Sequence, residues 1–210
     1  GRTLVWQMLE PLLARARSSV PGDAFPILAT TNSEIEYVED AASGGGRRAD
    51  ASTPQSLLRK MRAACGLRAE GMVVSTACTS SASAVAEAAA MIRGRTVDCV
   101  LVAACDCASE FIASGFSALG ALDPDVARPF DRGRQGLSIG EAAAWIVLMS
   151  KERAQREERT ILGEVAGWGL SGDAGHMTGP AADGGGPVRA LRLALAGPGG
   201  DAMRPRRSEG

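Results

Sequence analysis

The stretch that most constrains this chain runs from residue 71 to residue 104. An apolar β-type run, Gly71-Met-Val-Val-Ser75, is followed by Thr-Ala-Cys78-Thr-Ser-Ser81 and then by the small, helix-favouring residues Ala82 to Met91. Gly94 closes that helix, and Val97 to Ala104, apolar apart from Asp98, is a run of the kind a strand buried on both faces shows. Strand, helix and strand at this spacing predict a βαβ unit, and hence a mainly parallel sheet covered by helices. Cys78 falls where the first strand hands over to the helix. The unpaired N–H groups and positive dipole end of a helix favour a thiolate, the nucleophilic form of cysteine, so Cys78 is a candidate nucleophile. The alternative is a small buried hydrophobe, as most free cysteines are.

The rest of the chain supplies elements of the same kind. Leu4, Val5, Met8, Leu9, Leu12 and Leu13 repeat at helical spacing, and Phe25 to Thr31 reads as a short buried strand, with Asn32-Ser33 as the cap of a helical turn. Residues 41–51, with Gly44-Gly45-Gly46, read as a surface linker; no Gly-Lys-Ser/Thr follows to make a phosphate loop. Thr53-Pro54 opens a helix whose buried face is Leu57, Leu58, Met61 and Ala64. Residues 108–122 suggest short helices, and 123–144 is a polar, glycine-rich stretch leading into a strand at Trp145 to Met149. Lys151 to Arg159 reads as a solvated charged helix and Ile161 to Leu170 as a strand. Asp173 to Pro180 is then a loop, with a helix from Gly186. After Gly197 the pattern gives way to Gly, Pro and Arg, the composition of a disordered tail.

Composition excludes several classes of function. With 23 basic and 24 acidic residues in 210, nothing points to nucleic acid or an anionic membrane surface. No apolar run reaches the roughly 18 residues of a membrane span and the first residues make no signal peptide, so the expectation is a soluble, cytoplasmic chain. Hydrophobic residues make up 45% but aromatics only 4%, so the core must be built from Ala, Val, Leu and Ile. The cysteines (Cys65, Cys78, Cys99, Cys105, Cys107) are odd in number, which argues against a disulfide framework, and the only histidine is His176, so no zinc set is assembled.

Three blocks together resemble the β-ketoacyl-acyl carrier protein synthases, the condensing-enzyme branch of the thiolase-like fold. They are Ser75-Thr-Ala-Cys78-Thr-Ser-Ser81; Ala127-Arg-Pro-Phe-Asp131-x-x-Arg134-x-Gly136-x-x-x-Gly140-Glu141; and Ser171-Gly-Asp173-Ala-Gly-His176-Met-Thr178-x-Pro180. The resemblance covers most of residues 25 to 196. It implies an α/β thiolase-like fold, a mixed and mainly parallel sheet flanked by helices. Residues 1–160 would be the N-terminal half without its first strand, 161–196 the start of the C-terminal half, and 197–210 the tail.

By the same resemblance Cys78 is the nucleophile that accepts an acyl group as a thioester, and a malonyl-carrier protein is then decarboxylated to extend it by two carbons. The N–H of Cys78 would help hold the oxyanion. Asp131, Arg134 and Glu141 map to a structural block, with Glu141 under the site floor, and His176 and Thr178 to a loop near the pantetheine tunnel. No resident cofactor is implied, since substrates arrive on the phosphopantetheine of acyl carrier protein or coenzyme A. The implied partners are acyl carrier protein and, for the intact protein, a second copy or a ketosynthase heterodimer partner.

The family's Asn-x-His-Gly-Thr and Gly-His-x-x-Gly histidines, its lysine and its glycine-rich oxyanion loop have no counterpart here. The expectation is therefore a fragment, truncated at the front and truncated or frameshifted near Gly197, in fatty acid, polyketide or polyene biosynthesis. Its own activity is expected to stop at self-acylation. Two other readings are a non-catalytic partner subunit like the chain-length factors, which usually lack the cysteine, and an unrelated cysteine acyltransferase or hydrolase, which would need His176 as base.

Overall fold

The computed structural model describes residues 2–46, 52–175 and 179–197. The chain divides into two compact units, Gly1–Ser150 and Lys151–Gly210.

In the first unit, α1 (Leu4–Ala16), β1 (Phe25–Ala29), α2 (Glu36–Ala42), α3 (Pro54–Cys65), β2 (Met72–Val74), α4 (Ser80–Arg93), β3 (Cys99–Asp106), α5 (Glu110–Ala118) and β4 (Ala142–Met149) follow in chain order. The sheet has the order β2-β1-β3-β4. β1 runs parallel to both β2 and β3, whereas β4 is antiparallel to β3, pairing Cys99 with Met149 and Asp106 with Ala142. The crossover from β2 through α4 to β3 therefore passes over β1, as a parallel βαβ connection requires.

The period-two alternation of the strands sorts their side chains into two cores. Leu28, Cys99, Leu101, Ala103 and Cys105 face α1 and α3, meeting Val5, Leu9, Leu13, Leu57, Leu58 and Met61. Ile27, Ala29, Val100 and Val102 face α4, where Ala84 and Ala88 are fully buried. The small side chains let α4 lie close on the sheet. Its opposite face, with Ser81, Ala82 and Glu87, is exposed, so α4 is buried along one side only. Gly71 enters β2 at φ +78°, and a Cβ there would lie 2.5 Å from the Pro26 carbonyl oxygen, so the close approach of two backbones demands glycine.

Thr3 and Thr53 cap α1 and α3 by accepting the Trp6 and Ser56 N–H groups, and Pro54 occupies the first turn of α3. The expected cap at Asn32-Ser33 is not one. α2 begins at Glu36, after Ile35, with no side-chain cap, and Ser33 instead sits at φ +53° with its N–H on Thr30 Oγ1. That loop is anchored by a buried carboxylate: Glu34, 0% exposed, takes the Lys60 ammonium at 2.6 Å and the Thr3 hydroxyl. Lys60 also lies over the rings of Trp6 and Tyr37.

In the second unit, α6 spans Lys151–Arg156 and α7 spans Gly185–Ala196. α6 is not a wholly solvated face, because Arg153 and Ala154 are buried. Residues 161–170 form no strand. No neighbouring strand among the described residues offers a ladder, and Gly163, Gly167 and Gly169 weaken the extended run. Gly167 and Gly169 instead press against α7, where a Cβ on either would lie 2.0 Å from the carbonyl oxygen of Ala194 or Ala190. The expected tail beyond Gly197 lies outside the described residues.

Candidate active site at the C-terminal end of the sheet

Because β1, β2 and β3 are parallel, their C-terminal ends share one edge, and β4 starts there. In open α/β sheets that edge is where ligands bind. It gathers Thr30 to Asn32 after β1, Ser75 to Ser81 after β2, Asp106 to Ser109 at the end of β3, and Glu141 just before β4.

Cys78 occupies the turn between β2 and α4, two residues ahead of the first helical residue, Ser80. It is exposed, whereas Cys65, Cys99, Cys105 and Cys107 are buried. Burial pushes the Cys105 thiol up to about 12 and the Cys107 thiol up to about 11, the carboxylates of Glu36 and Glu39, and then of Asp106 and Glu141, adding to the effect at Cys107. Cys65 is likewise raised by burial. Those three thiols are thereby kept inert.

The turn that presents Cys78 is strained and heavily tied. Ala77 has φ +52°, a left-handed conformation that costs a residue with a Cβ about 1–2 kcal/mol. Side-chain hydroxyls hold it there. Ser80 Oγ donates to the Ala77 carbonyl at 2.6 Å and accepts the Thr76 N–H at 2.9 Å, while Thr79 Oγ1 donates to the Thr76 carbonyl at 2.7 Å. Thr76 Oγ1 reaches Ser83 Oγ at 2.9 Å. The Ser/Thr-rich sequence around Cys78 is thus the lacing of its own turn.

From the neighbouring loop, Thr31 Oγ1 donates to the same Ala77 carbonyl at 3.1 Å. That loop is clasped by Asp106, whose carboxylate accepts the Thr31 N–H at 2.9 and 3.0 Å, the Asn32 N–H at 3.1 Å and the Thr30 hydroxyl at 2.9 Å. Sequence reading missed both residues. The available signal was an aspartate closing an otherwise apolar strand at its C-terminal end.

The block at 127–141 is placed differently. Asp131 Oδ1 accepts the Gly133 N–H at 2.6 Å, Arg134 donates to the Asp131 carbonyl at 3.0 Å, and Arg128 donates to the Gly133 carbonyl, so Asp131 and Arg134 close a local turn. Gly136 lies where a Cβ would fall 2.4 Å from the Asp123 nitrogen, which accounts for glycine in that motif. Glu141 is exposed at the shared sheet edge, just ahead of β4. His176 and Thr178 lie outside the described residues. Beside the edge, α2 and α5 border an open groove of about 580 Å³ lined by Ile35, Val38, Ala42 and Phe111, with Glu39 accepting the Phe111 N–H at 2.6 Å. Among the described residues no three His, Cys, Asp or Glu side chains are grouped as metal ligands would be.

A mixed, mainly parallel α/β sheet with a cysteine presented at the strand-to-helix turn, together with the solved structures it matches, places the chain in a class: the thiolase-like fold of the condensing enzymes. Residues 42–154 match the family described as beta-ketoacyl synthase, N-terminal domain, and the chain belongs to that family. It is 39% identical to Nodulation protein E of Rhizobium meliloti over 158 residues, 72% of this chain and 39% of that protein. It is 37% identical to 3-oxoacyl-[acyl-carrier-protein] synthase 2 of Vibrio cholerae over 137 residues, 62% of this chain and 33% of that one. Among solved structures, the ishigamide ketosynthase/chain length factor matches with TM-score 0.73 at 31% identity, covering 90% of this chain and 49% of that one. The chain therefore spans between a third and a half of the length of these relatives.

Proposed function

We propose that this chain carries the acyl-accepting part of a ketosynthase site, with Cys78 as the nucleophile. In the intact protein it would serve a decarboxylative Claisen condensation with malonyl-acyl carrier protein in fatty acid or polyketide assembly. The observation that carries the reading is the placement of Cys78, the one exposed cysteine, on a strained and laced turn at the ligand-binding edge of the sheet.

The chemistry is an exchange of thioesters. The Cys78 sulfur attacks the acyl carbonyl carbon, and the carbonyl π electrons move to oxygen. Collapse of that oxyanion re-forms the carbonyl and expels the pantetheine sulfur, which takes up a proton, while the proton of the Cys78 thiol leaves to solvent. The N–H of Cys78 is a donor to the oxyanion. Asp131, Arg134 and Glu141 support the surroundings, and His176 and Thr178 border the pantetheine channel. The pantetheine arm arrives with the substrate, so no resident cofactor takes part, and the compartment is the cytoplasm. Acyl carrier protein is the donor partner, as the name of the Vibrio cholerae relative suggests, and a second ketosynthase-type subunit pairs with the intact protein.

Incubation with a labelled acyl-acyl carrier protein, or with the epoxide cerulenin, followed by peptide mass mapping tests this. Label on Cys78 that disappears in Cys78→Ala is expected. A folded chain that takes no label would overturn the reading in favour of a non-catalytic partner subunit.

A further inference from the structure

The Ala77 carbonyl accepts three hydrogen bonds: from Ser80 N at 3.0 Å, from Ser80 Oγ at 2.6 Å and from Thr31 Oγ1 at 3.1 Å. Two come from the start of α4 itself. The third comes from a residue 46 positions away in sequence, on a loop that Asp106 clasps through two backbone N–H groups and one hydroxyl. A peptide unit is planar and trans, so the direction of the Ala77 carbonyl also sets the direction of the Cys78 N–H, which points the opposite way in the same plane. Thr31 and Asp106 therefore act on the backbone donor that Cys78 itself brings to the proposed acyl transfer.

We propose that Asp106 and Thr31 are positioning residues that aim the Cys78 N–H at the oxyanion. The proposal rests on the acyl-transfer reading of Cys78. Thr31 is exposed and Asp106 half-buried, so neither side chain is needed to fill the core. Their hydrogen bonds run along a single line: the Asp106 carboxylate to the Thr31 N–H, the Thr31 hydroxyl to the Ala77 carbonyl, and through that peptide plane to the Cys78 N–H. Ala77 at φ +52° is the residue that needs such a hold, because its backbone favours other conformations once released. Preorganised donors act on charge that develops in the transition state, so a misdirected N–H slows acyl transfer without removing the sulfur.

The test compares two reactions of the same thiol in the 210-residue chain. Alkylation by iodoacetamide passes through no oxyanion, whereas transfer from octanoyl-N-acetylcysteamine does. In Thr31→Val and Asp106→Asn, acyl transfer to Cys78 is expected to fall about tenfold or more while alkylation stays within about threefold. Thr31→Ser, which keeps the hydroxyl, is expected to recover the rate. Equal slowing of both reactions, or a Thr31→Ser variant as slow as Thr31→Val, would make these residues structural supports and overturn the proposal. Unchanged acyl transfer in both variants would overturn it alone, whereas a wild-type chain that alkylates at Cys78 but never acylates overturns the functional reading, and this one with it.

Discussion

Two residues separate Cys78 from the other cysteines in kind: Ala77 before it, held left-handed, and the exposed Cys78 itself. Native protein treated with iodoacetamide at neutral pH is expected to take one label, at Cys78. Cys105 and Cys107, raised to about 12 and about 11, stay protonated and buried. Unfolding in denaturant should expose all five cysteines to the reagent; label on Cys105 or Cys107 in the native chain would contradict the burial described. Ala77→Gly removes the Cβ that makes φ +52° costly. Glycine also loses more chain entropy on folding, so the net change expected in denaturant unfolding is small, between about zero and 1 kcal/mol of added stability. Ala77→Val, β-branched in the same conformation, should destabilise.

At the scale of elements, the loop between β1 and α2 is anchored from beneath by Glu34. Replacing Lys60 with Met removes the cation while leaving a buried carboxylate, a change that costs about 3 kcal/mol where burial is complete. Lys60 is itself about one-third exposed, at 34%, so some water reaches the pair and the expected loss, read from the denaturation midpoint, is nearer 2 kcal/mol. The double variant Lys60→Met with Glu34→Gln should recover part of it, because the unpaired charge is gone. Thr31 lies on this loop, so the same anchor bears on the site, although Lys60 touches none of its groups directly.

At the scale of the molecule, the chain spans less than half of its curated relatives. It contains a single histidine, His176, whereas the family resemblance implies two further ones for the condensation step. On the proposed acyl-accepting reading, these 210 residues are expected to take an acyl group at Cys78 without decarboxylating malonyl-acyl carrier protein. Addition of radiolabelled malonyl-acyl carrier protein to the acylated protein should release no labelled carbon dioxide, and release of it would contradict this assignment of roles. No helix among the described residues is long and apolar enough to cross a membrane.

The sheet was legible in the sequence because burial on both faces leaves a continuous apolar run at β3, and small residues mark the helix that must lie close to it. The place of Cys78 at a strand-to-helix handover was legible; that the thiol is exposed there was not, because local pattern fits a small buried hydrophobe equally well. The elements that failed were those whose fate depends on a distant neighbour. Residues 161–170 have strand-like composition but no partner strand among the described residues, and glycines there pack on α7 instead. Asn32 and Ser33 look like a cap, yet Asp106, 74 residues beyond Asn32, takes the Asn32 N–H and draws the loop elsewhere. Local pattern decided the strands and helices around Cys78 and which thiol stands at the turn, but not the fate of residues 161–170. Only the tertiary structure could bring Asp106 to the Thr31 loop and the Thr31 hydroxyl to the Ala77 carbonyl, because hydrogen bonds between groups far apart in sequence leave no periodic trace in it.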